Sequence, residues 1–173
     1  MPSKFHLALL IALLSLSRGT LAAECDLAAI SEALDAPLVA MKATEVEVAE
    51  VQSTEGGVWE IYREKDGRLN TVIRIDAGEM GRSDTRLSVV DRAAWGISST
   101  ISEYNRHAFA EGGGPLAVVK KITVYYFFCG GKLHTPPPEW STTGDEYAAA
   151  AGGAKDTFFK APEIAEFIKG LVR

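Results

Sequence analysis

Few residues in this chain of 173 could do chemistry, and they are widely spaced. His107 and His134 could each act as a general base, but neither has an acid at a spacing that would orient its ring. Glu79 and Glu111 sit on glycine-rich loops where a catalytic carboxylate could work, and where a solvated acidic protein ordinarily carries such residues. Gly112-Gly113-Gly114 is followed by neither a lysine nor an immediate helix start, so it does not read as a phosphate cradle. Nucleophile elbows and dinucleotide fingerprints are absent too, and nothing in the sequence calls for a cofactor. Cys25 and Cys129 lack the close ligand spacing of a metal centre, with no CxxC, no HExxH and no close pair of histidines. Trp140, after Pro136-Pro137-Pro138-Glu139, is either a lid on the core or an exposed anchor. Trp140 and His134 are therefore the candidates for contact with a partner.

The compartment decides what the cysteines do. Residues 1–23 begin with Lys4, continue through the apolar run Leu7 to Leu16 and end in the small-residue sequence Leu21-Ala22-Ala23, the layout of a secretory signal peptide. Export to the periplasm or beyond places two cysteines in an oxidising environment, where one disulfide, Cys25–Cys129, is the expected outcome. Removing residues 1–23 takes away Lys4 and Arg18 and no acid. That leaves 16 Lys and Arg against 23 Asp and Glu, a net −7. An acidic chain with scattered charge argues against nucleic acid or an anionic membrane surface as partner. Residues 24–173 are enough for one domain with a real core.

The scaffold is organised around Leu116–Leu133, LAVVKKITVYYFFCGGKL, whose β-branched and aromatic run reads as a central strand ending at Gly130-Gly131. Val118, Ile122, Val124, Tyr126 and Phe128 share one face; Val119, Tyr125, Phe127 and Cys129 share the other. Both faces are apolar enough to need cover. Asp26 caps a short helix from Leu27 to about Leu34, which the disulfide would seat on the Cys129 face. Thr44–Gln52 alternates as a half-exposed strand, and residues 58–76 read as a hairpin. A three-residue loop, Lys65 to Gly67, pairs Trp59 with Ile73 and Ile61 with Thr71, gathering Trp59, Ile61, Leu69, Ile73 and Ile75 on one face. The two-residue alternative, with Ile61 opposite Val72, mixes polar and apolar residues on both. Residues 77–83 read as a linker, 86–91 and 94–103 as strands, and 104–115 as a glycine-rich connection. Beyond the prolines, residues 145–151 read as a helix stopped by Gly152-Gly153. A last amphipathic helix carries Ile164, Phe167, Ile168, Leu171 and Val172 on one stripe, which packing on the core accounts for best.

Tyr62 to Leu69 and Tyr126 to Leu133 share Tyr, Gly, a basic residue and Leu at the same offsets, as if one glycine-bulge turn were repeated; Leu87 to Ala94 reads as a degenerate third copy. With the export signal, the Gly78–Ser83 loop GEMGRS and Tyr104-Asn105-Arg106, these repeats resemble a loose group of small secreted bacterial proteins with tandem Y-x-F-x-x-G-K-L hairpins. The likeness spans about residues 57–133. It implies an antiparallel meander and brings no catalytic residue with it. The expectation is an α+β protein: a meander of about six strands with an N-terminal helix and a C-terminal amphipathic helix packed on it. It would be non-catalytic and bind an envelope protein as an inhibitor or accessory module. The alternatives are a small hydrolase with an unrecognised site around His107, His134 and the loop carboxylates, and a carrier of a small apolar ligand.

Overall fold

The computed structural model describes residues 25–49, 56–111, 114–134 and 144–172; the expected leader, residues 1–23, therefore lies outside the described residues. The fold is α+β, with seven antiparallel strands in simple meander order. They are β1 (Ala43–Glu47), β2 (Gly57–Arg63), β3 (Leu69–Gly78), β4 (Gly81–Val89), β5 (Ala94–Tyr104), β6 (Val118–Cys129) and β7 (Lys132–His134). Helix α1 (Leu27–Asp35) covers one face. The other carries α2 (Gly144–Phe159), a 3₁₀ turn (Pro162–Ile164) and a single helical turn, α3 (Ala165–Ile168). No helix among the described residues is long and apolar enough to cross a membrane.

Helix α1 begins where Asp26 accepts a hydrogen bond from the Ala29 amide at 2.9 Å, and it ends just before Pro37. Its i, i+4 pair Ile30 and Leu34 is buried with Phe127, beside Cys25 and Cys129. The Cys25–Cys129 disulfide is present, with Cα atoms 5.9 Å apart, so the N-terminal segment is tied to the face expected for it. Gly96 lets the helix sit this close. A Cβ there would lie 2.6 Å from Ile30 Cγ2 and 2.7 Å from Leu34 Cδ1. Arg86 completes the seat by donating to the Ala33 and Ala36 carbonyls at 2.9 and 3.0 Å, groups that the helix end leaves unpaired.

The larger core lies on the opposite face. Trp59, Ile61, Val72, Leu87, Trp95, Ile97, Tyr126 and Phe128 from the strands meet Tyr147, Ala151 and Phe158 of α2 and Ile164 and Ile168 of the C-terminal segment. Trp95 stacks on Phe128 with ring centroids 4.2 Å apart. Each of these large side chains contributes about 1.5–3 kcal/mol on burial. The C-terminal stripe therefore faces the core through Ile164 and Ile168, with Phe167 and Leu171 partly buried and Val172 exposed, although it is carried by a 3₁₀ turn and one helical turn rather than by a long helix.

Four local expectations are corrected. The β2–β3 loop does have three residues, with Gly67 at φ 84° and the Glu64 amide bonded to the Arg68 carbonyl. The register then slips by one at a bulge: Arg63 pairs with Leu69 but Tyr62 with Thr71, so Ile61 faces Val72 and Trp59 faces Arg74. No uninterrupted register can send both Leu69 and Val72 to the core; the extra residue, Asn70, allows it. Residues 77–83 are not a linker, because β3 and β4 run on until Gly78 pairs with Gly81. Gly152-Gly153 does not stop α2, which continues to Phe159. The two glycine turns also differ in kind, since Gly130 and Gly131 both have positive φ in a two-residue turn closed by Cys129 and Lys132.

Candidate functional site

The strand expected at the centre is next to an edge. β6 pairs along its length with β5, whereas β7 covers only Phe127 to Cys129 on its other side. Among the described residues, Val118 and Lys120 to Val124 pair with β5 alone, which leaves the outer backbone groups of this stretch open. β6 is also not covered on both faces. α1 and α2 lie over the half containing Tyr126 to Phe128, but Val118, Val119 and Ile122 are 53, 63 and 49% exposed, and Ile101, paired with Ile122, is 55% exposed. Val119 is the extra residue of a bulge, since Glu103 pairs with Lys120 and Tyr104 with Val118.

The reverse face of this uncovered half is polar. Arg82 and Asp84 of β4, Thr100 of β5 and Lys121, Thr123 and Tyr125 of β6 line a groove of about 300 Å³ that ends against Leu34 and Asp35 of α1. Thr100 and Thr123 share a hydrogen bond across the strands at 2.9 Å, Arg82 pairs with Asp84, and the Tyr125 hydroxyl donates to Asp35 at 3.0 Å. Burial and the bond to Asp35 hold the Tyr125 phenol above its ordinary range, and burial pulls the Arg86 guanidinium down. Lys121 carries no ion pair among the described residues, so it leaves a positive charge beside the open edge.

At the tip of the same half, the structure joins two residues singled out in the sequence. His107 Nε2 is hydrogen-bonded to Glu79 in the β3–β4 turn, with 39 and 44% of the two side chains exposed. The Phe109 amide donates to Nδ1 at 3.3 Å, and the Ala108 amide donates to the Glu79 carbonyl at 2.7 Å. Because Nδ1 accepts, the proton belongs on Nε2, facing the carboxylate. Both ring nitrogens are thus engaged, and the pair works as a latch between the turn and the loop after β5.

His134 comes close to the disulfide. Its pairing with Phe127 puts it on the α1 face, and one of its ring nitrogens and the two sulfurs lie within 4.8 Å of one another. Sulfurs bonded to each other offer no thiolate, so in the disulfide form the group has only an imidazole to give a metal. Glu111 is exposed on the loop between β5 and β6. Trp140 lies outside the described residues.

One carboxylate that sequence reasoning passed over is half-buried at the margin of the core. Glu163 Oε1 accepts from the Trp59 indole and the Ala49 amide, both at 3.0 Å, while Arg74 lies 5.6 Å over the Trp59 ring and pairs with Asp76 at 2.8 Å. Burial pulls Glu163 upward, but the bonds from Ala49 and Trp59 and the charge of Arg74 outweigh it and hold the carboxyl below its ordinary value. Comparison of the chain with protein-family models, with curated proteins and with solved structures finds no match.

Proposed function

We infer that this chain is an exported, disulfide-tied binding module that takes an extended segment of an envelope protein onto the open edge of β6. The observation that carries the reading is the stretch Val118 to Val124, unpaired on its outer side among the described residues and flanked by exposed Val118, Val119 and Ile122. Strand addition uses what such an edge offers: main-chain hydrogen bonds for affinity and alternate side chains for specificity. A second copy fits poorly. The antiparallel register that keeps all seven residues paired sets Lys121 of one copy directly opposite Lys121 of the other, and like charges opposed across strands are destabilising. Lys121 instead favours a partner strand that alternates apolar with acidic residues. Periplasmic or extracellular residence follows in this reading from the leader and suits the disulfide.

The test is a photo-crosslinking residue placed at Ile122 and, as a control of equal chemistry, at Val39, which is 94% exposed but lies off the sheet. The expected result is one adduct at Ile122 with a different envelope protein, through a segment carrying acidic residues, and none at Val39. An adduct between two copies of this chain would make the occupant a self-partner and overturn the reading. Equal labelling at both positions, or no adduct at Ile122, would also overturn it.

A further inference from the structure

At the opposite end of the sheet, the β2–β3 and β4–β5 turns and the C-terminal segment enclose a groove of about 540 Å³, within the size range of small-molecule sites. Its floor is apolar: Leu69 and Val89 come from the strands, and Phe167 and Leu171 from the C-terminal segment. Its rim is cationic. Arg63 lies 5.3 Å over the Phe167 ring and donates to the Gly67 carbonyl at 2.6 Å; Arg92 donates through Nε to the Gly170 carbonyl at 3.0 Å. A carbonyl or a ring holds a guanidinium in place without cancelling its charge. Among the described residues neither arginine has a carboxylate within ion-pair distance, unlike Arg68, paired with Asp66, and Lys169, paired with Glu166. The one other acid on the rim, Asp91, uses Oδ1 to accept from the Ala93 and Ala94 amides and so closes its own turn.

Two oriented guanidiniums over an apolar floor, in a chain whose formal net charge is −5, select an anion with an apolar body. The geometry points to a binding site for an amphipathic carboxylate of the fatty-acid class, its tail on Leu69, Val89, Phe167 and Leu171 and its head on Arg63 or Arg92. An arginine fork suits a carboxylate because it can give two parallel N–H bonds. This site is independent of the β6 edge, and its failure would leave the edge reading untouched.

The experiment is an NMR titration of the full disulfide-bonded protein with decanoate, kept below its micellar concentration, with decanol and decyltrimethylammonium as neutral and cationic controls. Saturable shifts are expected at the Leu69, Val89 and Leu171 methyls. Decanoate should bind about tenfold more tightly than decanol and weaken as salt is raised, with no binding of the cation at this site. Arg63→Gln combined with Arg92→Gln should bring decanoate down to the decanol affinity while leaving decanol unchanged. Because Arg92 also holds Gly170, Arg63→Gln alone is read in parallel, with the Trp95 indole resonance as the check that the tail is still docked through Val172. Equal affinity for decanoate and decanol, decanoate binding indifferent to both substitutions, or shifts confined to other surfaces would overturn the proposal.

Discussion

Replacing a glycine by alanine should have opposite effects at two places in this fold. At Gly96 the new Cβ would lie 2.6 and 2.7 Å from side-chain carbons of Ile30 and Leu34 and 3.2 Å from the Tyr126 carbonyl oxygen, whereas unstrained carbon atoms stay about 3.5–4.0 Å apart. Ile30 and Leu34 are 0 and 3% exposed, so they cannot swing aside into solvent and α1 must lift by about 1 Å. Overpacking of this kind costs about 1–3 kcal/mol, offset by the roughly 0.5–1 kcal/mol that alanine returns by restricting the unfolded chain. A net loss of about 1–2 kcal/mol is expected. At Gly152 and Gly153, inside α2, an added Cβ meets nothing within 4 Å. There alanine should stabilise by about 0.5–1 kcal/mol at each position. With a urea m-value of about 1–3 kcal/mol/M, Gly96→Ala should lower the unfolding midpoint of the oxidised protein by about 0.5–1 M, and each helix substitution should raise it by about 0.3–0.5 M. A Gly96→Ala midpoint at or above that of the parent would mean that α1 does not rest on Gly96. A lower midpoint for Gly153→Ala would mean that the helix is interrupted there.

Glu163→Ala should destabilise by about 2 kcal/mol, since it removes two acceptor bonds and strands the indole N–H of the fully buried Trp59, while Glu163→Gln, which keeps a carbonyl oxygen, should cost less. The Glu163 carboxyl is held below its ordinary range, so its contribution is present above that range and is lost as pH falls through the lowered value; Glu163→Gln should flatten the acid limb of a stability profile, and an unchanged limb would exclude it as a source. Tyr147 is 5% exposed and its phenol is pushed up to about 12, first by burial, so its contribution is intact below pH 10 and is lost as pH rises from 10 to 12. That amounts to about 2–3 kcal/mol, and Tyr147→Phe should flatten this alkaline limb while losing the 2.8 Å bond to the Tyr125 carbonyl; a parent-like limb in the variant would count against the assignment. Cys129→Ser opens a link spanning 104 residues and should cost up to about 4–5 kcal/mol by chain entropy, with the variant still exported and cleaved near Ala22 or Ala23 by intact mass; full alkylation of both thiols in unreduced, unfolded parent protein would refute the disulfide itself.

Strand and helix identities were readable because period and caps agree: Asp26 before the Leu27, Ile30, Leu34 stripe, or the alternation through Trp95 and Ile97, leaves little choice of structure. The Cys25–Cys129 pair was legible by counting. The β2–β3 register was not, because a bulge at Asn70 leaves no mark in a periodicity that assumes none. Nor did the glycine pair in α2 reveal that its neighbours would hold it helical. The position of β6 was misread for a physical reason. An apolar strand looks the same in sequence whether or not helices cover its whole length, and the sign of exposure was the Lys120-Lys121 pair inside the run. The His107–Glu79 contact joins residues 28 apart through a turn and a loop, a distance over which no local pattern operates.

Strand addition at the outer edge of β6 is open to direct measurement by amide hydrogen exchange across that strand. Exchange should be followed with and without the protein crosslinked through Ile122. Alternate amides between Val118 and Val124 should gain strong protection when the partner is bound, because they acquire strand partners, while the Phe127 to Cys129 amides, already between β5 and β7, should change little. Protection appearing on α1 or in the polar groove, with Val118 to Val124 exchanging as fast as in the free protein, would contradict strand addition.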